Sequence, residues 1–195
     1  MARFTRDPTL KKWQDTTTAS DTFNGDTAKD FIVGRSGDDI FSGGNGNDFI
    51  MGNKGADQLF GDSGGDVLLG GRGNDLLDGG TGADLLDGDY GTDTLTGGRQ
   101  ADRFEFHSRT AGLDSKNGPL AHDTITDFGD GNDVINLVAY EAGTDVVAVQ
   151  NGVNNVLLYV DFGGTGSQDI LIADIFGHDG ALTAADVLAE VNFIA

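Results

Sequence analysis

The chain has no cysteine. That excludes disulfide cross-links and zinc–thiolate sites, and it is compatible with export. Basic residues are scarce: 12 Lys and Arg stand against 32 Asp and Glu, for a net charge of −20. Such an imbalance excludes simple electrostatic binding to nucleic acid or to anionic lipid. No run of 18 apolar residues occurs, so no helical membrane span is expected. Glutamate is nearly missing, with only Glu105, Glu141 and Glu190. An amphipathic helical protein would favour Glu, whereas Asp suits turns and ion-binding loops. The chain contains no His-Glu-x-x-His, which removes that zinc-hydrolase motif. Residues 1–24 carry Arg3, Arg6, Lys11 and Lys12 but no apolar h-region, and do not read as a Sec signal peptide.

What is abundant is glycine, 32 residues of it, and from Gly25 to Glu105 it falls in a strict frame of nine. Position 1 is Gly25, Gly34, Gly43, Gly52, Gly61, Gly70, Gly79, Gly88 and Gly97. Position 6 is Asp30, Asp39, Asp48, Asp57, Asp66, Asp75, Asp84, Asp93 and Asp102. Position 8 is large and apolar: Ile32, Phe41, Ile50, Leu59, Leu68, Leu77, Leu86, Leu95 and Phe104. Seven of the nine blocks place Gly at position 4: Gly37, Gly46, Gly55, Gly64, Gly73, Gly82 and Gly91. Acidity alone would suggest disorder, but acids locked in phase argue for a built structure.

Each position has a physical reading. Glycines at positions 1, 2 and 4 permit turns with φ > 0, which aim several carbonyl oxygens into a small space. The position-6 Asp adds a carboxylate. Hard oxygen donors without sulfur or imidazole suit Ca²⁺, which takes six to eight of them. The three residues after the Asp are expected to be a short strand. Strand side chains alternate, so position 8 faces in, while positions 7 and 9, a mixed set including Gln58, Arg103, Asp78, Asp87 and Glu105, face out.

The blocks resemble the Gly-Gly-x-Gly-x-Asp-x-apolar-x nonapeptide of the repeats-in-toxin (RTX) family, whose repeats bind calcium. The resemblance implies an all-β fold, a right-handed parallel β-roll in which two blocks make one 18-residue coil. It also implies ions held between successive loops on the same side, so that block i shares an ion with block i+2. Nine blocks would then offer up to about seven calcium sites. The implied ligands are the nine position-6 aspartates, the position-1 glycines Gly34, Gly43, Gly52, Gly61, Gly70 and Gly79, and the seven position-4 glycines. The end blocks depart from the pattern, with Ala28 and Gln100 at position 4. The array carries 16 acids and six bases, a net of −10, which about seven Ca²⁺ would offset by roughly +14. Folding coupled to ion binding is the expectation.

Residues 1–24 read as a lid or linker, with Phe4, Leu10 or Trp13 covering the first coil, and residues 106–195 as a capping region. Asp123 to Leu137 resembles the segment that follows the repeats in serralysin-type proteases and alginate-epimerase R-modules. Its Asp123, Asp127 and Asp133 could hold a further ion or simply form turns. Three strands are expected around 145–149, 153–160 and 169–175, the first two joined at Asn151-Gly152. Thr183 to Asp186 matches a capping box before a short terminal helix. The resemblance also implies export by a type I secretion machinery that reads the C-terminal tail, and hence an extracellular location.

Gly61 to Gly65 spells a serine-protease pentapeptide, but it is only positions 1 to 5 of a block, and no His base accompanies it. Asp127-Phe128-Gly129 and Asp161-Phe162-Gly163 lack the companion motifs of a kinase. His107, His122 and His178 are scattered and suggest surface or cap roles. No residue set supports catalysis. The chain reads as a calcium-binding, non-catalytic extracellular binding or surface module, with extracellular polysaccharide as the ligand that the resemblance implies. The alternative is the C-terminal secretion and folding module of a larger enzyme. Strand edges at the ends of the roll leave pairing between chains open.

Overall fold

The computed structural model describes residues 5–7, 12–14, 19–107, 122–129, 132–138, 145–150, 154–161, 170–177 and 182–194. The described residues form an all-β solenoid of parallel stacked coils with one short helix.

Strands arise where the sequence leaves the glycine turns. They are β3 (Thr22–Asn24), β4 (Phe31–Val33), β5 (Ile40–Ser42), β6 (Phe49–Lys54), β7 (Gln58–Phe60), β8 (Val67–Arg72), β9 (Leu76–Thr81), β10 (Leu85–Tyr90), β11 (Thr94–Arg99) and β12 (Arg103–His107). Successive strands alternate between two sheets, so each strand pairs in parallel with the one two blocks away. One register runs Ile32, Ile50, Leu68, Leu86, Phe104, Ile135. The facing sheet runs Phe23, Phe41, Leu59, Leu77, Leu95, Ile125, Ile175. The expected three-residue strand at positions 7 to 9 is therefore right in place but short in extent. In β6, β8, β9, β10 and β11 the strand continues through positions 1 to 3 of the next block. There a second set of rungs forms, such as Asn53 with Gly71 and Lys54 with Arg72.

All nine position-8 side chains are fully buried. They meet between the two sheets as one column of Ile, Leu and Phe, extended by Ile125, Ile135 and Leu137. Burying each such side chain stabilises the roll by roughly 1.5–3 kcal/mol.

Both ends are closed by chain that leaves the repeat. β1 (Thr5–Asp7) pairs antiparallel with β2 (Lys12–Gln14), which lies parallel to β4 with Trp13 in register with Ile32. The expected lid residues Phe4 and Leu10 lie outside the described residues. At the other end β13 (Asp123–Phe128) and β14 (Val134–Val138) carry the two sheets one strand further. β15 (Asp145–Gln150), β16 (Asn155–Asp161) and β17 (Ile170–Gly177) follow; β15–β16 and β16–β17 are antiparallel, and β17 joins β13 in parallel. The expected turn at Asn151-Gly152 lies outside the described residues, but the strands flanking it pair as a hairpin requires. The capping box is present. Thr183 Oγ1 accepts from Asp186 N at 3.2 Å, and Asp186 Oδ2 accepts from Thr183 N at 2.9 Å, opening α1 (Ala184–Ala189). Val187 anchors that helix in the core, and β18 (Val191–Ile194) then pairs with β14. Among the described residues no helix is long and apolar enough to cross a membrane.

Candidate metal centre

The position-6 aspartates are buried, each with 3% exposure or less. Burial of so many carboxylates requires partners, and half of each carboxylate has one. The backbone N–H of every Asp donates to Oδ1 of the Asp one coil later. Asp30 donates to Asp48 at 2.6 Å, Asp48 to Asp66 at 2.6 Å, Asp66 to Asp84 at 2.7 Å and Asp84 to Asp102 at 2.9 Å. The second ladder runs Asp39 to Asp57, Asp57 to Asp75 and Asp75 to Asp93, at 2.7–2.8 Å. The two ladders flank the core, one along each line of loops.

Both ladders extend past the repeats. Asp93 N donates to Asp123 Oδ1 and Asp102 N to Asp133 Oδ1, each at 2.9 Å. Asp123 and Asp133 are thus ladder members. Asp127 instead accepts from the Gly97 and Gly98 amides. Asp21 N donates to Asp39 Oδ1 at 2.9 Å and starts the second ladder. Sequence reasoning missed Asp21 because its block, residues 16–24, has no glycine. Its spacing was a usable signal: Asp21 lies nine residues before Asp30, and Phe23 nine before Ile32.

The other carboxylate oxygen tells a different story. Oδ2 of Asp39, Asp48, Asp57, Asp66, Asp75, Asp84, Asp93 and Asp102 is buried without a hydrogen-bond donor. At the ends the same atom is served by a loop amide, Asp26 N for Asp30 and Gly129 N for Asp133. Eight buried acceptors without donors are a large electrostatic cost in a protein interior.

The glycines shape the space around these oxygens. Position-4 glycines lie at positive φ, for example +138° at Gly64 and +139° at Gly73, and a Cβ on either would collide with the carbonyl oxygen of the position-4 glycine one coil earlier. Position 2 also lies at positive φ from the third block on, including Asn53 (+78°), Asp62 (+69°) and Asp89 (+66°). The position-1 glycines do not. Their expected role in left-handed turns is corrected by the backbone, which needs glycine there for close approach. A Cβ on Gly79 would lie 2.5 Å from Asp84 Oδ2 and 2.6 Å from the Gly97 carbonyl oxygen. On Gly61 it would lie 2.6 Å from Asp66 Oδ2 and 2.5 Å from the Gly79 oxygen. The space over these Cα atoms is lined by a donor-less carboxylate oxygen and a main-chain carbonyl.

Electrostatics agree with geometry. Burial pushes Asp66 and Asp75 up to about 7, opposed by the backbone hydrogen bond each accepts and reinforced by ladder neighbours such as Asp84 and Asp93. Asp57 and Asp84 rise to about 6 by burial, and Asp93 to about 8 by burial and then by the Asp123 charge. A divalent cation beside Oδ2 removes this penalty. The donor set is hard oxygen throughout, which fits calcium. Among the described residues no three His, Cys, Asp or Glu side chains converge, so an ion here must draw many of its ligands from backbone carbonyls.

Residues 15–50, 42–77 and 69–104 match the RTX calcium-binding nonapeptide repeat family (4 copies). Residues 15–104 are an RTX array. Among the solved structures that resemble the chain are two of secreted or enzyme-derived proteins. One is the extracellular lipase LipA from Serratia marcescens, at 16% identity over 91% of this chain and 39% of that one, with a TM-score of 0.30. The other is the AlgE6R3 subunit of the mannuronan C5-epimerase from Azotobacter vinelandii, at 23% identity over 89% of this chain and 78% of that one, with a TM-score of 0.23. The chain thus spans 39% of the lipase it resembles. No curated protein matches it. The RTX array is a calcium-binding repeat, and its family is not catalytic.

His107 lies apart from the ladders, with Nε2 3.1 Å from Asp87 Oδ2 and 3.9 Å from Glu105 Oε2 on the outer face. His178 lies outside the described residues.

Proposed function

We propose that the RTX array is a calcium-gated folding module of an exported protein. The observation that carries this reading is the set of eight buried Oδ2 atoms without donors. The proposed ligands are those carboxylates together with main-chain carbonyls of the position-1 and position-4 glycines in blocks 25–105. Calcium supplies positive charge and a demand for several hard oxygens where the protein offers buried ones. Where calcium is scarce, the aligned carboxylates oppose one another and oppose burial, and the coils stay open. At extracellular calcium, where modules of this kind bind at roughly 10⁻⁴–10⁻³ M, binding and folding become one event. Residues 1–24 and 106–195 close the two ends. The module itself is non-catalytic: it gives an exported chain a fold that forms only outside the cell.

The test is a calcium titration of chelator-stripped protein followed by far-ultraviolet circular dichroism, with magnesium as the control. A cooperative gain of β signal near millimolar calcium, absent with magnesium, is the expected outcome. A full β spectrum in excess chelator at neutral pH overturns the coupling.

A further inference from the structure

The first ladder runs Asp30, Asp48, Asp66, Asp84, Asp102, Asp133, and its two ends differ from its interior in one bond. At each end an amide four residues earlier turns onto the second carboxylate oxygen. Asp26 N donates to Asp30 Oδ2 at 3.0 Å, and Gly129 N donates to Asp133 Oδ2 at 2.8 Å. In the frame of nine, both donors are position 2 of the loop whose position 6 they serve. Asp48, Asp66 and Asp84 receive no such bond, nor do Asp57, Asp75 and Asp93 in the other ladder; Oδ2 of each is buried without a donor. Position-2 amides in the interior point elsewhere, Gly44 N to Asp62 Oδ2 and Asp89 N to Asp87 Oδ1.

The end loops are also built differently. The loop of Asp133 carries Phe128 at position 1, 3% exposed, its ring 6.2 Å from that of Phe104. Position 1 is where glycine leaves room beside Oδ2: a Cβ on Gly43, Gly52, Gly61, Gly70, Gly79 or Gly88 would come within 2.6 Å of that oxygen. At Phe128 a Cβ and a ring stand in that position. The loop of Asp30 keeps Gly25 but has Ala28 at position 4. There Asp26 Oδ1 accepts from Ala28 N at 2.8 Å, a tight turn that holds the Asp26 N–H on Asp30. An N–H aimed at a buried carboxylate oxygen supplies the partial positive charge that this oxygen needs, from the side where a cation would stand.

We propose that Asp30 and Asp133 are metal-free ends of the first ladder, where a main-chain amide takes the place of calcium, and that ions along this ladder are confined to the interior loops. This inference rests on the calcium reading above. It removes Asp30 from the ligands that the repeat pattern implies. Asp30 shares its frame position with Asp48, and the donor at Oδ2 separates the two. Each end of the column is satisfied by its own loop, whereas each interior carboxylate requires an ion.

The experiment is equilibrium dialysis of the whole chain, at about 0.2 mM, against radiolabelled calcium rising to ~5 mM, a range that fills sites of roughly 10⁻⁴–10⁻³ M. Circular dichroism confirms that each variant folds in calcium. Asp66→Asn and Asp84→Asn should each bind at least one ion fewer than wild type. Asp30→Asn and Asp133→Asn should bind as many as wild type. In Asp30→Asn the remaining oxygen can still accept from Asp26 N, so the variant loses charge and keeps the bond. Asp133→Asn gives up one of two bonds; where it does not fold, Asp30→Asn decides alone. An ion lost from folded Asp30→Asn or Asp133→Asn overturns the proposal. So does a full complement of ions in Asp66→Asn and Asp84→Asn, which would erase the difference between ends and interior. A wild type that binds no calcium strikes the calcium reading itself and is recognised before any variant is compared.

Discussion

Asp66→Asn should change sign with calcium. Asp66 sits mid-ladder, 1% exposed, its Oδ1 accepting from Asp48 N at 2.6 Å and its Oδ2 without a donor. Asparagine keeps the acceptor for Asp48 N and replaces only the second oxygen. Without metal, burial lifts the carboxyl from 3.8 to about 7. Holding it in the compact state at pH 7 therefore costs about 4 kcal/mol relative to the open chain, at ~1.4 kcal/mol per pKa unit. The amide removes that cost but leaves a buried N–H₂ unpaired, at about 1–3 kcal/mol. In chelator the variant should gain about 1–3 kcal/mol. With calcium it lacks one charged ligand and should lose about 3–5 kcal/mol, as when one partner of a buried charge pair is removed. For a chain of 195 residues, each kcal/mol is about 2–4 °C in Tm, so a thermal melt in calcium resolves the loss, and the gain in chelator reads as a higher midpoint for the loss of β signal with rising pH. Destabilisation of similar size in the two conditions would mean that Oδ2 is structural and faces no cation, and would falsify the assignment.

Other consequences follow from the same geometry. Because the ladder carboxyls have folded-state pKa values raised to about 6–8, the metal-free roll is most stable near pH 4 and loses stability as pH rises to 8. Dilute protein in chelator should therefore lose β signal on going from pH 5 to pH 8, and a signal flat across that range refutes the burial argument. Gly64→Ala places a Cβ against the Gly46 carbonyl at a φ of +138°; it should raise the calcium needed for folding severalfold, whereas Leu68→Ala, deleting a fully buried side chain, should cost about 2–5 kcal/mol with no preference for calcium over chelator. Asp133→Ala strands the buried Asp102 N–H and should cost about 1–3 kcal/mol, read as a lower melting temperature in calcium.

The core and both ladders were legible because they depend on single positions of the repeat. Position 8 must face inward in every block, and position 6 must stack on itself every 18 residues. The position-1 glycines were misread in mechanism. A composition-level rule links glycine to positive φ, whereas here the reason is an oxygen from another coil, which only the folded register brings near. The outer faces were also illegible while all nine blocks were read as one column. Gln58 and Asp78 belong to one sheet and Met51 and Leu69 to the other, and only sorting by alternate blocks shows which outward side chains are neighbours. Asp21 escaped because the eye follows glycine, while the ladder requires only an aspartate in phase.

The ladders have a direction. Each aspartate N–H is served by the carboxylate of the coil that follows it in sequence, from Asp21 through to Asp123 and from Asp30 through to Asp133. The buried aspartate N–H of a coil is therefore satisfied only once its C-terminal neighbour stands, while strand amides such as Phe49 N and Val67 N reach back to the coil before, at the carbonyls of Asp30 and Asp48. Shortening the array from the front leaves every remaining aspartate N–H satisfied but strips the acceptor from strand amides such as Phe49 N and Val67 N; shortening it from the back opens a buried donor in each ladder. The aspartate ladders alone run one way along the roll, each ending on a C-terminal closing carboxylate: Asp123 on β13 and Asp133 just before β14.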